Sequence, residues 1–182
     1  MTLAPTMKDA MLGAIPSLRA FAISLSGNVE RADDLVQETL MRAIAHVDSF
    51  EPDTNMPAWL FTILRNLFRS EYRKRRREVE DPEGRYADQL KGHPEQVGRI
   101  EFGEFRAALA KLPHDQREAL LLVGASGFSY EEAAAICECA VGTIKSRVNR
   151  ARTRLTELLS LDEGDFGPDQ PTQAVLSAGG HH

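Results

Sequence analysis

Apolar residues recur along this chain at steps of three and four, the period that keeps side chains on one side of an α-helix. The pattern predicts helices at 7–26, 30–47 and 57–76, and again at 100–111, 114–125, 129–137 and 141–160. No alternation of apolar and polar positions runs long enough for a strand, so the expected fold is all-α. Between the two groups of helices, Arg77-Glu-Val-Glu-Asp-Pro-Glu-Gly84 is charged, carries Pro and Gly and lacks an apolar period, and Lys91-Gly-His-Pro-Glu95 repeats the signal. Residues 78–98 are therefore expected to form an exposed, flexible linker between two small helical domains, at 7–77 and 99–161. A length of 182 residues suits that division. The tail at 162–182 is rich in Gly, Pro, Gln, Asp and Ser, a composition expected to stay disordered.

The last predicted helix is the most informative. Val141, Ile144, Val148, Ala151 and Leu155 make one apolar stripe, which leaves Lys145, Ser146, Asn149 and Arg150 facing elsewhere. Upstream, Ser129-Tyr-Glu-Glu-Ala-Ala-Ala-Ile-Cys137 reads as a short first helix with Ser129 as N-cap and Glu132 at the capping-box position. About three residues join the two, the geometry of a helix-turn-helix whose second member enters a major groove. An ordinary amphipathic pair with a solvated face would mix charge signs, whereas residues 145–154 hold five cations and no acid.

In the N-terminal half, the helix opening at Asp33-Asp34 places acids at its positive end. Leu35 or Val36, Leu40, Ala43, Ile44 and Val47 are expected inside, with Asp34, Gln37, Glu38 and Met41 outside. A turn-rich loop at 48–57 precedes the helix starting near Trp59. There Leu60, Ile63 or Leu64, Leu67 and Phe68 are expected to pack inward, and Arg65, Asn66, Arg69 and Arg73 to project outward. Trp59 and Phe61 are expected in the core. A loop holding Thr54, Asn55 and Met56 beside a cationic helix suits an unstacked base and its phosphates.

Composition alone hides this picture, because the net charge is −5. The distribution is uneven: residues 62–77 carry +6 and residues 145–154 carry +5, which leaves −16 on the rest. Two cationic patches on an acidic body touch nucleic acid at two places and offer acidic surface to another partner.

Other chemistries find little support. Cys137 and Cys139 form a lone Cys-x-Cys with no second pair, which argues against zinc, and positions so close do not readily close an unstrained disulfide. Small buried or half-buried residues are the expected role. His46, His93 and His114 lie in separate segments with no catalytic or metal spacing, and no glycine-rich phosphate loop occurs. No enzyme activity, metal or cofactor is expected. No secretory signal or membrane-spanning stretch is apparent, so a cytoplasmic location without membrane insertion is expected.

Across residues 10–160 the chain resembles the extracytoplasmic-function (group 4) sigma factors of bacterial RNA polymerase. Asp-Asp-Leu-Val-Gln-Glu-Thr at 33–39 followed by Trp-Leu-Phe-Thr-Ile-Leu-Arg-Asn at 59–66 is similar to sigma region 2. Leu-Pro-x-x-x-Arg-Glu-Ala-Leu-Leu-Leu at 112–122, Gly-Phe-Ser-Tyr-Glu-Glu-Ala-Ala at 127–134 and Val-Gly-Thr-Ile-Lys-Ser-Arg-Val-x-Arg-Ala-Arg at 141–152 are similar to region 4. The run from Phe50 to Val79 is further similar to the alphaproteobacterial general stress response (EcfG-type) group.

The resemblance implies an alternative sigma factor that joins core RNA polymerase through its β′ and β subunits and directs initiation at promoter DNA, in a stress response under an anti-sigma factor. It implies polymerase contact at Asp33, Asp34, Gln37 and Glu38. It implies minus-10 recognition by Thr54, Asn55, Met56, Arg65, Asn66, Arg69 and Arg73, and minus-35 recognition by Thr143, Lys145, Ser146, Arg147, Asn149 and Arg150. The rival reading is a conventional helix-turn-helix regulator that does not replace sigma, which explains 100–160 but not the cationic helix at 62–77. Patches joined by a flexible linker are expected to bind specific DNA weakly without polymerase, and they leave an inhibitor free to clamp both domains together.

Overall fold

The computed structural model describes residues 5–52, 54–78 and 97–159. The expected linker at 78–98 lies almost wholly outside them, and the expected tail at 162–182 lies wholly outside. Seven α-helices order the described residues: α1 (Pro5–Ser26), α2 (Val29–Ala45), α3 (Met56–Glu78), α4 (Val97–Ala110), α5 (His114–Leu120), α6 (Tyr130–Cys137) and α7 (Val141–Leu159). A 3-10 turn at Val47–Ser49 precedes α3, and a π-helical turn at Leu121–Ala125 continues α5. There is no strand among the described residues, as the apolar period requires.

Helices α1, α2 and α3 pack on one another around Leu18, Phe21, Leu35, Leu60 and Leu64, all at most 2% exposed. Gly27 makes the sharp passage from α1 to α2 by adopting φ +69, a conformation glycine enters without a Cβ clash, and its N–H donates to Ile23 O at 2.8 Å. Asn28 then caps α2, its side chain accepting from Arg31 N at 2.8 Å. On α2 the buried stripe is Ala32, Leu35, Val36, Thr39 and Ala43. This corrects the expectation for Ile44, which is 51% exposed. A stripe running through 32, 36, 39 and 43 turns position 44 out beside Met41, which is 65% exposed as expected.

Helices α4 to α7 form the second group, with α7 laid against α5, α6 and α4. Ile144, Val148, Ala151 and Leu155 are its buried stripe. The expected capping box is present: Ser129 Oγ accepts from Glu132 N at 3.0 Å and Glu132 Oε2 accepts from Ser129 N at 2.9 Å. Glu138 closes α6 in the left-handed region at φ 53, where its N–H reaches the carbonyls of Ala134 and Ala135. Arg117 knits this group together. Its Nη2 donates to Ala110 O at 2.7 Å and Leu112 O at 3.0 Å, tying off the end of α4. With carbonyl partners and no carboxylate, burial lowers the Arg117 pKa.

The two groups pack directly on each other, α3 against α6 foremost. Positions 61, 65, 68 and 72 share one face of α3 and turn toward the second group. Phe61 sits edge-on to Phe128 with centroids 4.9 Å apart, while Phe68 and Tyr72 stack on His114 at 5.4 and 5.8 Å. Whatever path residues 79–96 take, the helical units they join meet across a seam of aromatic rings that also encloses buried charge, Arg65 on α3 and Glu118 on α5.

Candidate nucleic-acid and polymerase interfaces

The second helix of the helix-turn-helix presents a divided face. Lys145, Asn149 and Arg150 are exposed, and Thr143 and Ser146 are half-buried beside them. Lys145 Nζ lies 5.8 Å from the Tyr130 ring centroid, a cation–π contact that steadies a long side chain at the mouth of the turn. Thr143, Ser146, Arg147 and Arg150 line an open cleft with Pro113 and Gln116. Four of the six residues assigned to the minus-35 element thus line one cleft, while Lys145 and Asn149 are exposed on the same helix. Arg147 differs: its Nη2 donates to Asp115 Oδ2 at 3.0 Å and its Nη1 lies 4.0 Å from Cys139 Sγ. In this arrangement it fastens α7 to α5.

The region assigned to the minus-10 element is split more sharply. Thr54 and Asn55 are exposed before α3, and Asn66 and Arg73 are exposed along it, with Arg69 half-buried. Asn55 caps α3, its Oδ1 accepting from Ala58 N at 3.1 Å, while its Nδ2 donates to Glu132 Oε1 at 2.7 Å. Two residues depart from expectation. Met56 is 6% exposed, because it is the first residue of α3 and its side chain drops into the core. Arg65, expected to project outward, is 1% exposed.

Arg65 is buried because the second group covers its side of α3. Its Nε donates to Glu118 Oε1 at 2.8 Å and its Nη1 to Ile136 O at 3.3 Å. Cys137 Sγ lies 3.6 Å from the other oxygen, Glu118 Oε2. Burial pulls the Arg65 pKa down, and attraction to Glu118 with their hydrogen bond outweighs that, so it stands above the ordinary value. The same desolvation, with Glu118 close by, pushes the Cys137 thiol up to about 12. Cys137 and Cys139 are free, buried and half-buried respectively.

On α2, Asp34 and Gln37 are exposed, and Asp33 and Glu38 sit half-buried beside them. Arg19 Nε donates to Asp33 Oδ1 at 2.6 Å, and that hydrogen bond holds the carboxyl below the usual range. Glu38 accepts from Arg42 at 2.7 Å one turn on. With Met41 and Ile44 the face is acidic and apolar together, a combination that suits a partner presenting cations around a greasy centre.

Sequence reasoning missed several contributors. Ile44, expected in the core, belongs to the exposed face of α2. A shallow cleft beside Asn66 is lined by Arg42, His46, Ser49 and Trp59, drawn from α2, the 3-10 turn and α3. Trp59 is half-buried, with Phe50 5.1 Å from its ring. Neither residue spacing nor charge pointed to that convergence. His114, Asp115 and Glu118 bring ligand atoms within 4.8 Å of one another, but Arg147 and Arg65 already hold the two carboxylates. No helix among the described residues is long and apolar enough to cross a membrane.

Comparison with known proteins gives consistent matches. The family model for Sigma-70 region 2 matches residues 14–78, and that for Sigma-70, region 4 matches residues 102–155. The ECF RNA polymerase sigma factor EcfG of Rhodopseudomonas palustris (strain TIE-1) is 69% identical over 181 residues, covering 99% of this chain and 100% of that protein. The ECF RNA polymerase sigma factor SigC of Mycobacterium tuberculosis is 39% identical over 134 residues, 73% of this chain and 72% of that one. Among solved structures, the sigma factor RpoE of Bartonella quintana, in complex with the anti-sigma factor NepR, matches with a TM-score of 0.78 at 57% identity, covering 87% of this chain and 99% of that one.

Proposed function

This chain belongs to the extracytoplasmic-function sigma factors of the sigma-70 family, promoter-recognition subunits of RNA polymerase, and from that premise we propose how its surfaces divide the work. Helix α7 reads the minus-35 element as duplex, with Lys145, Asn149 and Arg150 toward base edges and phosphates and Thr143 and Ser146 beside them. An Asn or Arg paired bidentately with a base is worth about 1–3 kcal/mol of discrimination. Asn66, Arg69 and Arg73 follow the minus-10 strand, and the cleft beside Asn66 receives an unstacked base, whose extrusion costs a few kcal/mol that stacking on Trp59 offsets. The α2 face, Asp33 to Glu38 with Met41 and Ile44, docks on core polymerase. The reaction chemistry belongs to the polymerase; this chain supplies recognition and is not an enzyme.

The observation that carries this reading is the pair of cationic helices, +6 at 62–77 and +5 at 145–154, displayed by two different helical groups. A conventional regulator has no use for the first, and the region 2 match accounts for it. The relatives extend the reading. RpoE of Bartonella quintana was solved with NepR, and likeness to it supports an anti-sigma partner here, as the resemblance of residues 50–79 to the general stress response group supports a place in such a response. The working location is the cytoplasm, with the polymerase.

The test is transcription in vitro with bacterial core polymerase on a pool of promoter fragments, with and without the protein. Transcripts that depend on it and share two spaced upstream motifs are expected. Duplex binding with no dependent transcript sinks the proposal.

A further inference from the structure

We propose that the cleft where the ends of α1 and α4 meet α2, α3 and α5 binds a small phosphate dianion, held by Arg31, Arg106 and Arg117. The dianion is either free inorganic phosphate or the phosphate end of a compact organic monoester. The cleft encloses about 250 Å³. Pockets for larger organic ligands span about 300–1,000 Å³, so the occupant is small. Three guanidinium groups and the His114 imidazole line it, and no carboxylate does among the described residues. Phe68, Tyr72 and aliphatic side chains make up much of the remaining wall, so a charge inside is poorly screened by water. None of these residues belongs to the surfaces assigned to promoter DNA or polymerase.

Helix architecture accounts for part of this arrangement. Arg117 Nη2 ties off α4 through the carbonyls of Ala110 and Leu112, and its Nη1 lies 3.5 Å from Leu25 O near the end of α1. A helix C-terminus carries about half a negative charge, so two of them offset Arg117 and leave the other cations without an explanation. Arg31 reaches Glu71 through a single oxygen at 3.3 Å, longer than the about 2.7–2.9 Å of a firm charged bond, so no carboxylate closes its fork. Its guanidinium carbon lies 5.1 Å from the Phe68 ring centroid, which holds the group against the wall of the cleft. Arg117 Nε and His114 Nε2 are buried with no hydrogen-bond partner. Buried polar atoms left unpaired are costly and rare, and they mark where a ligand or ion completes a site. Burial lowers the Arg117 pKa, with Tyr72 pulling the other way, as befits a cation that no carboxylate compensates. Three guanidinium groups around one small cleft repel one another until an anion enters, and a tetrahedral dianion has an oxygen for each.

Nitrogen-15 labelling of the arginines in the full chain reads the site residue by residue. Inorganic phosphate is titrated at constant ionic strength, balanced with chloride. The Nε–H signals of Arg31, Arg106 and Arg117 are expected to shift and saturate, while those of Arg73 and Arg150, exposed on the two DNA-facing patches, stay in place. Phenyl phosphate is the second arm. Binding about tenfold tighter than inorganic phosphate assigns an organic monoester whose ring lies along the aromatic wall, and equal or weaker binding assigns free phosphate. By linkage, the bound ligand is expected to raise the unfolding midpoint of the chain. Arg31→Gln and Arg106→Gln are each expected to weaken phosphate binding about tenfold through loss of a charged bond, with helix content unchanged by circular dichroism. Titration of the natural chain decides the matter even if a variant misfolds.

Shifts confined to Arg73 and Arg150 put the anion on the DNA-facing patches and overturn the site. So does a titration that fails to saturate by about 10 mM phosphate, or an affinity that folded R31Q and R106Q leave unchanged. None of these readouts involves promoter DNA or polymerase, so failure of the sigma assignment shows separately, in the promoter assay.

Discussion

Arg65 and Arg73 stand eight positions apart on one helix, yet their surroundings give them opposite expected behaviour. Arg65→Ala leaves Glu118 buried without a counter-ion, and removing one partner of a buried pair costs about 3–5 kcal/mol. Arg73→Ala touches an exposed side chain and is expected to leave the unfolding midpoint nearly unchanged. Chemical denaturation of the two variants side by side checks this, and equal midpoints sink the claim that Arg65 helps hold the two helical groups together. His114 offers a second residue-scale check. Burial holds its pKa below the ordinary 6.5, although Glu118 and Asp115 pull the other way. Tyr72 of α3 stacks on it, and the cations Arg31, Arg106 and Arg117 line the same cleft. A depressed histidine pKa means the unfolded chain binds the proton more readily. Its contribution is therefore complete above about pH 6.5 and is lost as pH falls toward the folded pKa. Stability measured from pH 7 to 5 is expected to decline for the natural chain, with a shallower decline in His114→Phe. An unchanged slope refutes the assignment. These residues also show where the sequence stops being legible: period and charge place Arg65 on a helix but cannot say which of its sides another unit covers, and Met56 is misread because it opens a helix where a loop is expected.

At the scale of elements, apolar spacing and the structure agree much more closely. The seven expected helices are present, with ends shifted by a few residues, because each carries an apolar stripe wide enough to reveal its period. Local chemistry fixed some boundaries as well: Ser129 and Glu132 form the capping box that their spacing announces. Ser129→Ala is expected to cost about 1 kcal/mol, because the Glu132 N–H at the start of α6 loses its side-chain acceptor and turns to water. What remained hidden was backbone departure from the ideal helix. The expected single helix at 114–125 breaks into α5 and a π-helical turn, a change of one hydrogen-bond register that leaves no mark in apolar spacing. The turn of the helix-turn-helix holds Glu138 at φ 53, where a β-carbon is strained and glycine is not. Glu138→Gly is expected to raise stability by about 0.5–1 kcal/mol. Thermal unfolding of S129A and E138G, which should move in opposite directions, checks both devices within one unit.

Taken as a whole, the molecule separates tasks that a single cationic surface would confuse. Its acidic remainder, −16 in total, repels DNA except where the two patches face it, so affinity depends on presenting both patches to one duplex. The two-unit organisation was legible from composition, but the direct contact between units was not, since each seam residue is unremarkable within its own helix. That contact gives a different reason to expect weak DNA binding by the free chain: the units are held together rather than ranging freely, and Asn55 and Arg65, two residues proposed for the minus-10 element, are engaged by Glu132 and Glu118. Within the polymerase complex, phosphate contacts and base contacts should then separate in their salt dependence. Each Lys or Arg that neutralises one phosphate releases counterions, so losing it lowers the slope of log K against log salt by about 1. Arg69→Ala, Arg73→Ala and Arg150→Ala are each expected to do this at promoter fragments, whatever the promoter. Asn149→Ala is expected to leave the slope alone and to alter preference among minus-35 sequences, because an amide reads base edges and carries no charge. Binding measured across a salt series with each variant tests the division. A slope change for Asn149, or none for the three arginines, shows that the recognition helix and α3 do not meet DNA in the orientation their exposed faces imply.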